Sequence, residues 1–270
     1  MRKGYASRLK NLIRMKAFGL ILDLRSDDPT LLDAASKWFP YGFSITGQTW
    51  GRTFGTFELF AYVDGKGYRL RREGRTIFTG ATLDALLGKL HGELMIYAGS
   101  RALDRVFVHA GVVGWRGRAI VMPGDSFAGK STLVAAMVKL GATYYSDDYA
   151  LVEINGMVHP YARPLQLRTP GCVEQTSVPV ESLGGVAGTE PLKVAQVLFT
   201  KYKGVAEWRP RPVSSGEAVL QMLRHTLSVR LTPAVAMRSL THMMAGAEAF
   251  RSPRGEADVA ARRMIDALGL

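Results

Sequence analysis

The sequence predicts an α/β protein, and three observations support that prediction. Short β-rich runs alternate with amphipathic helical patterns in the first part of the chain. An apolar run from Ala119 to Met122 leads into a glycine-bearing loop, and an amphipathic helix follows that loop. From Ser215 onward, helix start signals dominate. We therefore expect a small α/β module at residues 17–102 and an α/β core at residues 103–270 that ends in a helical tail.

Composition limits the function classes. At 270 residues and 47% hydrophobic content, the chain can bury a substantial core. The 35 Lys and Arg residues outnumber the 23 Asp and Glu residues, which gives a net charge of +12. This charge favours a nucleotide, a nucleic acid or an anionic membrane as ligand, but the basic residues are dispersed and fit a solvated basic surface equally well. The single cysteine, Cys172, excludes an intramolecular disulfide and a cysteine-based zinc site, and it fits a cytoplasmic protein.

The basic N-terminal segment, residues 1–16, has the pattern of an amphipathic helix. Leu9, Leu12 and Ile13 recur at helical spacing among Lys and Arg residues. We expect a first helix or a basic arm there, with binding to lipid or to a partner as the alternative. The apolar stretch at residues 17–22 is too short for an export signal or a membrane span, so no transmembrane segment is expected.

The N-terminal module carries strand and helix signals but no catalytic motif. Phe18 to Leu24 is β-rich, and Asp28-Pro29 marks the start of a helix. Asp64-Gly65-Lys66 predicts the turn of a β-hairpin, and Thr82 is the expected cap of a leucine-rich helix. We interpret this module as structural or substrate-binding.

The core begins with a predicted β-hairpin made of Val106 to Val113 and Arg118 to Met122. After the glycine-bearing loop, Ser131 to Leu140 has a helical pattern that Gly141 closes. Ala142 to Tyr145 then predicts a strand that ends at a pair of aspartates.

The rest of the core is predicted to be one hairpin followed by helices. Asn155-Gly156 is the expected hairpin turn. The expected helices are Ser215 to Leu231, Thr232 to Phe250 and Val259 to Leu268, and Ser252-Pro253 introduces the last of them.

The loop from Gly124 to Thr132 matches the pattern G-x-x-x-x-G-K-[ST]. In that pattern, backbone N–H groups face phosphates, Lys130 neutralises phosphate charge and Ser131 ligates Mg²⁺. The alternative is an ordinary glycine-rich turn, but the strand before the loop and the helix after it favour nucleotide binding. The candidate nucleotide-binding residues are Gly124, Asp125, Ser126, Phe127, Ala128, Gly129, Lys130, Ser131 and Thr132, together with Arg163 and Arg168.

An acidic pair, Asp147 and Asp148, follows the strand after the loop helix. Near Mg²⁺ and phosphate, one carboxylate can order the metal and the other can accept the proton of an incoming hydroxyl. The candidate metal ligands are therefore Ser131, Asp147 and Asp148. By itself, Ser-Asp-Asp would be a turn or a helix cap.

His109, Arg163 and Arg168 complete the candidate site. His109 precedes the loop by one strand, so it is either a structural histidine or a group that donates to the transferred phosphate. Each arginine either stabilises developing phosphate charge or is a solvated surface residue. The candidate catalytic residues are Asp147, His109 and Lys130.

These motifs together resemble the HPr kinase/phosphorylase group and its relatives, including kinases that act on lasso-peptide precursors. The matching features cover about 60 residues and are His109-Ala110-Gly111-Val112-Val113, Gly124-Asp125-Ser126, Gly129-Lys130-Ser131-Thr132, Leu140-Gly141, Ser146-Asp147-Asp148 and Arg163-Pro164-Leu165. The resemblance implies a P-loop core of the HPr kinase/phosphoenolpyruvate carboxykinase type with a mixed, twisted sheet. It also implies that Lys130 and the loop amides hold ATP, that Asp147 is the base for a serine hydroxyl, and that His109 lies near the transferred phosphate.

Two residues depart from the family pattern. Phe127 replaces a glycine that often needs permissive backbone angles, so we expect weaker ATP binding if the loop requires a positive φ there. Thr132 replaces the Glu that is common in the bifunctional enzymes, and the Glu-x-Arg-Gly-type segment associated with dephosphorylation is not visible. We therefore expect a kinase without the reverse phosphorolysis.

The sequence predicts an ATP-dependent, Mg²⁺-requiring kinase that transfers the γ-phosphate to a hydroxyl, expected to be Ser, of a peptide or protein. The alternatives are a non-catalytic nucleotide-binding module and a small-molecule kinase. Nucleic-acid binding is not expected, because no familiar motif accompanies the positive charge. Formation of a homo-oligomer is left open.

Overall fold

A computed structural model describes residues 11–48, 50–62, 67–168 and 175–267. The chain divides into two compact units, Met1–Asp104 and Arg105–Leu270. The sequence placed the corresponding boundary between residues 102 and 103. The protein is a mixed α/β structure.

In its described residues, the N-terminal unit forms a six-stranded mixed sheet. The strands are β1 (Asn11–Ala17), β2 (Leu20–Ser26), β3 (Ser44–Ile45), β4 (Gly55–Ala61), β5 (Tyr68–Arg72) and β6 (Arg75–Gly80). Their order is β3-β1-β2-β4-β5-β6, in which β2 and β4 are parallel and the other neighbours are antiparallel. Helix α1 (Pro29–Ser36) follows β2, and helix α2 (Leu83–Arg101) follows β6.

Both helices of this unit begin at the predicted caps. The Asp28 carboxylate accepts a hydrogen bond from Thr30 N at 2.8 Å, and the Thr82 hydroxyl accepts one from Ala85 N at 3.2 Å. The core beneath the helices is built from aliphatic and aromatic side chains such as Phe57. Local capping and apolar spacing are therefore sufficient to place α1 and α2.

The predicted first helix is wrong for residues 11–16, which belong to strand β1. β1 pairs with β2 along its whole length, and the turn between them has left-handed angles at Phe18 (φ 49°) and Gly19 (φ 79°). Met15 and Ala17 are buried, so the apolar side chains here follow a strand period, which short segments share with a helix. Residues 1–10, the predicted Asp64-Gly65-Lys66 turn and Cys172 lie outside the described residues.

The core unit contains ten described strands and four helices. The strands are β7 (Arg105–Trp115), β8 (Arg118–Pro123), β9 (Thr143–Ser146), β10 (Tyr149–Glu153), β11 (Val158–His159), β12 (Leu165–Arg168), β13 (Gln175–Val178), β14 (Val194–Tyr202), β15 (Arg211–Val213) and β16 (Glu248–Arg254). The helices are α3 (Lys130–Lys139), α4 (Ser215–Arg224), α5 (Pro233–Met244) and α6 (Ala257–Ala267), with a short 3-10 helix at Val180–Leu183. The main sheet has the order β11-β10-β7-β8-β14-β16-β15, and β9 also pairs with β7. In the described residues, β12 and β13 form a separate two-stranded sheet.

Helices cover both faces of the main sheet. Val113 and Ile120 pack in one apolar cluster with residues of α3 and α6. Their strand neighbours Val112 and Val121 pack in a second cluster with residues of α4 and α5. This alternation follows from the two-residue period of a strand and produces a three-layer α/β/α core.

The predicted helical tail is corrected in two places. Helix α4 ends at Arg224, although the expected helix ran to Leu231. Phe250 and Ser252-Pro253, expected in a helix and at a helix start, lie in strand β16. The helical pattern stops at Met244 because Gly246 adopts a φ of 90°, and the next residues then pair with β14.

Strand β14 was missed in the sequence. It is parallel to both β8 and β16 and lies between them. A strand that is buried on both faces lacks the alternation of apolar and polar residues that marks a half-exposed strand. The mostly apolar segment from Val194 to Phe199 therefore shows no two-residue period. Since β8, β14 and β16 are parallel, their C-terminal ends meet at one edge of the sheet.

Among the described residues, no helix has the length and apolar character that crossing a membrane would require.

Candidate functional site

The glycine loop, residues 124–129, connects the end of β8 to the start of α3. Gly129 adopts a left-handed conformation (φ 84°) immediately before the first helical residue, Lys130. The Lys130 ammonium donates to the carbonyls of Gly124 and Asp125, each at 2.8 Å. The loop is thus wrapped around the buried Lys130 side chain. Burial lowers the pKa of Lys130 to about 8, although nearby Asp148, Asp125 and Asp147 act in the opposite direction.

Phe127 adopts a positive φ of 67°, so the loop has the backbone conformation that a glycine would favour at this position. The Phe127 ring is 76% exposed, and the Arg168 guanidinium stacks over it at 4.1 Å from the ring centroid. Because it faces outward, the ring leaves the inside of the glycine loop open. Phe127, with its strained backbone, therefore forms a stacked pair with Arg168 of β12.

The Asp147 carboxylate lies just after β9 and is 3% exposed. Its Oδ2 accepts a hydrogen bond from the backbone N–H of Gln166 at 2.9 Å. Its Oδ1 lies 3.2 Å from the Tyr144 hydroxyl and 3.9 Å from Arg163 Nη2. Burial, followed by the Asp147 charge, raises the pKa of Tyr144, so that hydroxyl stays protonated and can donate. These contacts fix the orientation of the Asp147 carboxylate.

The Asp148 carboxylate is the more accessible of the pair, with 26% of its side chain exposed. One oxygen lies 2.9 Å from Arg163 Nη2, and the other lies 3.5 Å from His109 Nε2. Burial would lower the pKa of Arg163, but the charges of Asp148 and Asp147 outweigh it and raise that pKa. The two adjacent carboxylates thus share one arginine and lie in different environments.

His109 lies in β7, next to the glycine loop. Its backbone N–H donates to the His225 carbonyl at 2.7 Å, and its own carbonyl accepts from Gly124 N at 3.2 Å. Burial lowers the pKa of His109 to about 4, and the positive charges of Lys130, His225 and Arg163 add to that effect against Asp125. The imidazole is therefore neutral at pH 7.

The predicted site residues converge on one cavity of about 520 Å³. It is lined by His109, Ser126, Phe127, Gly129, Lys130, Ser131, Thr132, Asp147, Asp148, Arg163 and Arg168, together with Gln166 and Gln175. The three remaining predicted residues, Gly124, Asp125 and Ala128, line a smaller cavity of about 330 Å³. Arg163 and Arg168 both reach the larger cavity, so neither is a remote surface residue.

Within the described residues, no group of three or more His, Cys, Asp or Glu side chains is placed to hold a metal ion. Ser131, Asp147 and Asp148 nevertheless line one cavity. A hydroxyl and two carboxylates are hard oxygen donors of the kind that Mg²⁺ takes beside substrate phosphates, and that ion uses few protein ligands. These three side chains are therefore of the chemical type that would hold Mg²⁺.

Arg254 is a site residue that the sequence did not reveal. It is 2% exposed and ends β16, where its Nη2 donates to the Gly129 carbonyl at 2.7 Å and its Nη1 donates to the Gly255 carbonyl at 2.7 Å. The neighbouring strand end also supports the loop, because Tyr202 N donates to the Ala128 carbonyl at 3.3 Å. Arg254 could have been found from the sequence by recognising β8, β14 and β16 as parallel strands whose C-terminal ends meet. The segment that contains β16 was instead expected to be helical.

His225 was also missed. It caps the C-terminus of α4, and its Nδ1 lies 3.4 Å from Asp125 Oδ1 in the glycine loop. Its carbonyl holds the backbone of His109. His225 therefore links α4 to both sides of the site.

The chain was also compared with known proteins. It matches no protein-family model, and no curated protein is significantly similar to it. What the site can do is therefore inferred from its own residues.

Proposed function

We propose that this protein is an ATP-dependent kinase with a P-loop core of the HPr kinase/phosphoenolpyruvate carboxykinase type. In this proposal, the γ-phosphate goes to a hydroxyl, expected to be Ser, of a peptide or protein acceptor. The observation that supports it best is the convergence of Lys130 and Ser131 with Asp147 and Asp148 on one cavity of about 520 Å³. Phosphoryl transfer requires this pairing of a phosphate cradle with carboxylates.

The start of α3 provides the phosphate cradle in this proposal. Its first N–H groups have no helical partner and point toward the glycine loop, and the helix dipole favours negative charge there. Lys130 Nζ, now bonded to two loop carbonyls, would turn to phosphate oxygens without a large movement of its backbone. Burial lowers the pKa of Lys130 to about 8. The negative charge of a bound polyphosphate would raise that pKa again, so Lys130 would stay in its ammonium form.

Ser131, Asp147 and Asp148 would hold Mg²⁺, which neutralises charge on the phosphate oxygens. Asp147 is proposed as the base that takes the proton from the acceptor hydroxyl. Its Oδ2 is fixed by Gln166 N, while Oδ1 has only the longer contacts with Tyr144 and Arg163. Asp148 is proposed to orient Arg163 and to contribute to metal binding, since it is the more accessible carboxylate.

The two arginines have different proposed roles. Arg163 Nη2 is held by Asp148, and its buried Nε has no hydrogen-bond partner among the described atoms. Because Arg163 lines the cavity, its charged guanidinium would attract an incoming anionic oxygen. Arg168 is placed at the cavity entrance by its stacking on Phe127, where it would contact the nucleotide or the acceptor.

A transfer assay tests this proposal. The protein is incubated with ATP labelled on the γ-phosphate, Mg²⁺ and a panel of peptides that contain hydroxyl groups. Wild-type protein should label a peptide, Lys130→Ala should lose ATP binding and transfer, and Asp147→Asn should bind ATP without transfer. If Asp148→Asn abolishes transfer while Asp147→Asn retains it, the assignment of the base is wrong. If no peptide is labelled although ATP binds, the kinase proposal is wrong for this acceptor class.

One observation favours a second function, a non-catalytic nucleotide-binding module. Phe127 stands at a position of the glycine loop where its positive φ is unfavourable for a bulky residue, so this loop is less suited to repeated turnover than one with glycine there. Saturable ATP binding with unchanged ATP after prolonged incubation would support this alternative. For either function we propose a cytoplasmic location, because one cysteine in 270 residues fits a reducing compartment.

A further inference from the structure

A separate cavity of about 620 Å³ lies in the core unit, away from the glycine loop. Arg118 and Val194, which line it, occupy the first positions of β8 and β14, whereas the glycine loop follows the last residue of β8. Five steps along a strand span about 17 Å at about 3.3 Å per residue. The cavity is therefore at the opposite end of the parallel strands from the proposed kinase site.

The wall of this cavity is strongly cationic. Its charged side chains are Arg118, Lys193 and Arg238, and His242 lies one helical turn after Arg238 on α5. No Asp or Glu occurs among its lining residues. The C-terminal end of α5 contributes only about −0.5 elementary charge, which three cationic side chains outweigh.

The cationic groups have donors available. Arg118 Nη2 donates to the carbonyls of Val194 (3.1 Å) and Gly246 (3.0 Å), which fixes the guanidinium. Its other nitrogens have no hydrogen-bond acceptor among the described residues. In the part of the chain that the structure describes, Lys193 and Arg238 form neither a hydrogen bond nor an ion pair through their side chains. Like charges that line one cavity repel one another, so an anion bound there would stabilise this arrangement.

The turn between β10 and β11 forms another part of the cavity wall, which is apolar apart from Asn155. Ile154 and Met157 flank the turn between β10 and β11, and Gly156 at its tip has a φ of 84°. A side chain at Gly156 would collide with the backbone of Met243 in α5, so only glycine lets the turn dock so closely. His242 Nδ1 lies 2.6 Å from the Ile154 carbonyl and must donate the proton, because a carbonyl only accepts. The cavity is thus formed before any ligand arrives.

We propose that this cavity binds a small multiply charged anion, such as a phosphate-bearing metabolite. Its volume is in the range of small-ligand sites, and a fixed arginine fork beside lysine is suited to anionic oxygens. The apolar wall would contact the uncharged part of the ligand. This inference does not depend on the proposed kinase activity, because the two cavities share no lining residue.

Pyrophosphate binding measured by calorimetry tests the proposal. Lys130→Ala should lose binding at the glycine loop and retain binding at this cavity. Adding Lys193→Ala and Arg238→Ala, both exposed, should weaken the retained affinity roughly tenfold to hundredfold, which is about 1.4–2.8 kcal/mol for the pair. The matched control Lys139→Ala with Arg230→Ala removes the same charge at exposed positions outside the cavity and should change the affinity little.

A second readout uses wild-type protein and so does not depend on the Lys130 variant folding. Acylation of Lys193, followed by mass spectrometry of its peptide, should slow when pyrophosphate is added, while acylation of Lys139 should not. The proposal is overturned if Lys193 is not protected at millimolar pyrophosphate. It is also overturned if the control pair weakens the retained binding as much as the cavity pair, because binding would then depend only on overall charge.

Discussion

Replacing Gly129 by alanine tests whether Arg254 supports the glycine loop. At a φ of 84° an L-residue costs about 1–2 kcal/mol relative to glycine. The added Cβ would also lie 2.5 Å from Arg254 Nη2, in a region where the guanidinium is buried and cannot move into solvent. Displacing it breaks the 2.7 Å hydrogen bond to the Gly129 carbonyl, a charge-assisted bond worth about 1.5–3 kcal/mol. We expect a total loss of about 3–5 kcal/mol in the free energy of unfolding.

Gly117→Ala is the matched control for this prediction. Gly117 has a similar φ of 78°, but a Cβ there would meet no atom within 4 Å, so only the backbone cost of about 1–2 kcal/mol applies. Urea unfolding followed by circular dichroism gives both values. In an Arg254→Met background, Gly129→Ala should cost no more than Gly117→Ala does. Equal losses for the two alanine variants in the wild-type background would refute the supporting role of Arg254.

Three further predictions concern other parts of the chain. Phe127→Gly should be more stable than Phe127→Ala by about 1 kcal/mol in urea unfolding, because both lose the ring but only glycine accepts the positive φ; equal stability would contradict strain in the loop. The folded-state pKa of His109, about 4, is below its ordinary value near 6.5, so its contribution to stability is complete above pH 6.5 and is lost as the pH falls toward 4. His109→Gln should therefore flatten the loss of stability measured between pH 7 and pH 4, and an unchanged slope would rule this out. Asp28→Ala should lower the free energy of unfolding by about 1 kcal/mol through loss of the α1 cap, whereas Asp28→Asn should lower it much less.

Local signals in the sequence were sufficient for much of the structure. The caps Asp28 and Thr82 and the hairpin turn at Gly156 depend on residues close in sequence, and each is found where the sequence predicts it. The convergence of Lys130 with Asp147 also follows from a local pattern, a loop followed by one helix and one strand.

The features that sequence reasoning missed depend on distant partners. Strand β14 is defined by pairing with β8 and β16, and its mostly apolar run does not distinguish a buried strand from a buried helix. Arg254 belongs to the site because it hydrogen-bonds to Gly129, 125 residues earlier in the chain. Residues 11–16 were expected to be helical because a short alternation of apolar and basic residues fits both periods until a pairing partner is known.

The bond from Arg254 to Gly129 also sets an order of events during synthesis. A ribosome makes the glycine loop before it makes β16, because Arg254 follows Gly129 by 125 residues. A nascent chain that has not reached Arg254 has every residue of the loop and lacks its buried support. The capacity to bind an anion there should therefore appear only after β16 has been made, and a chain cut short before β16 should not acquire it.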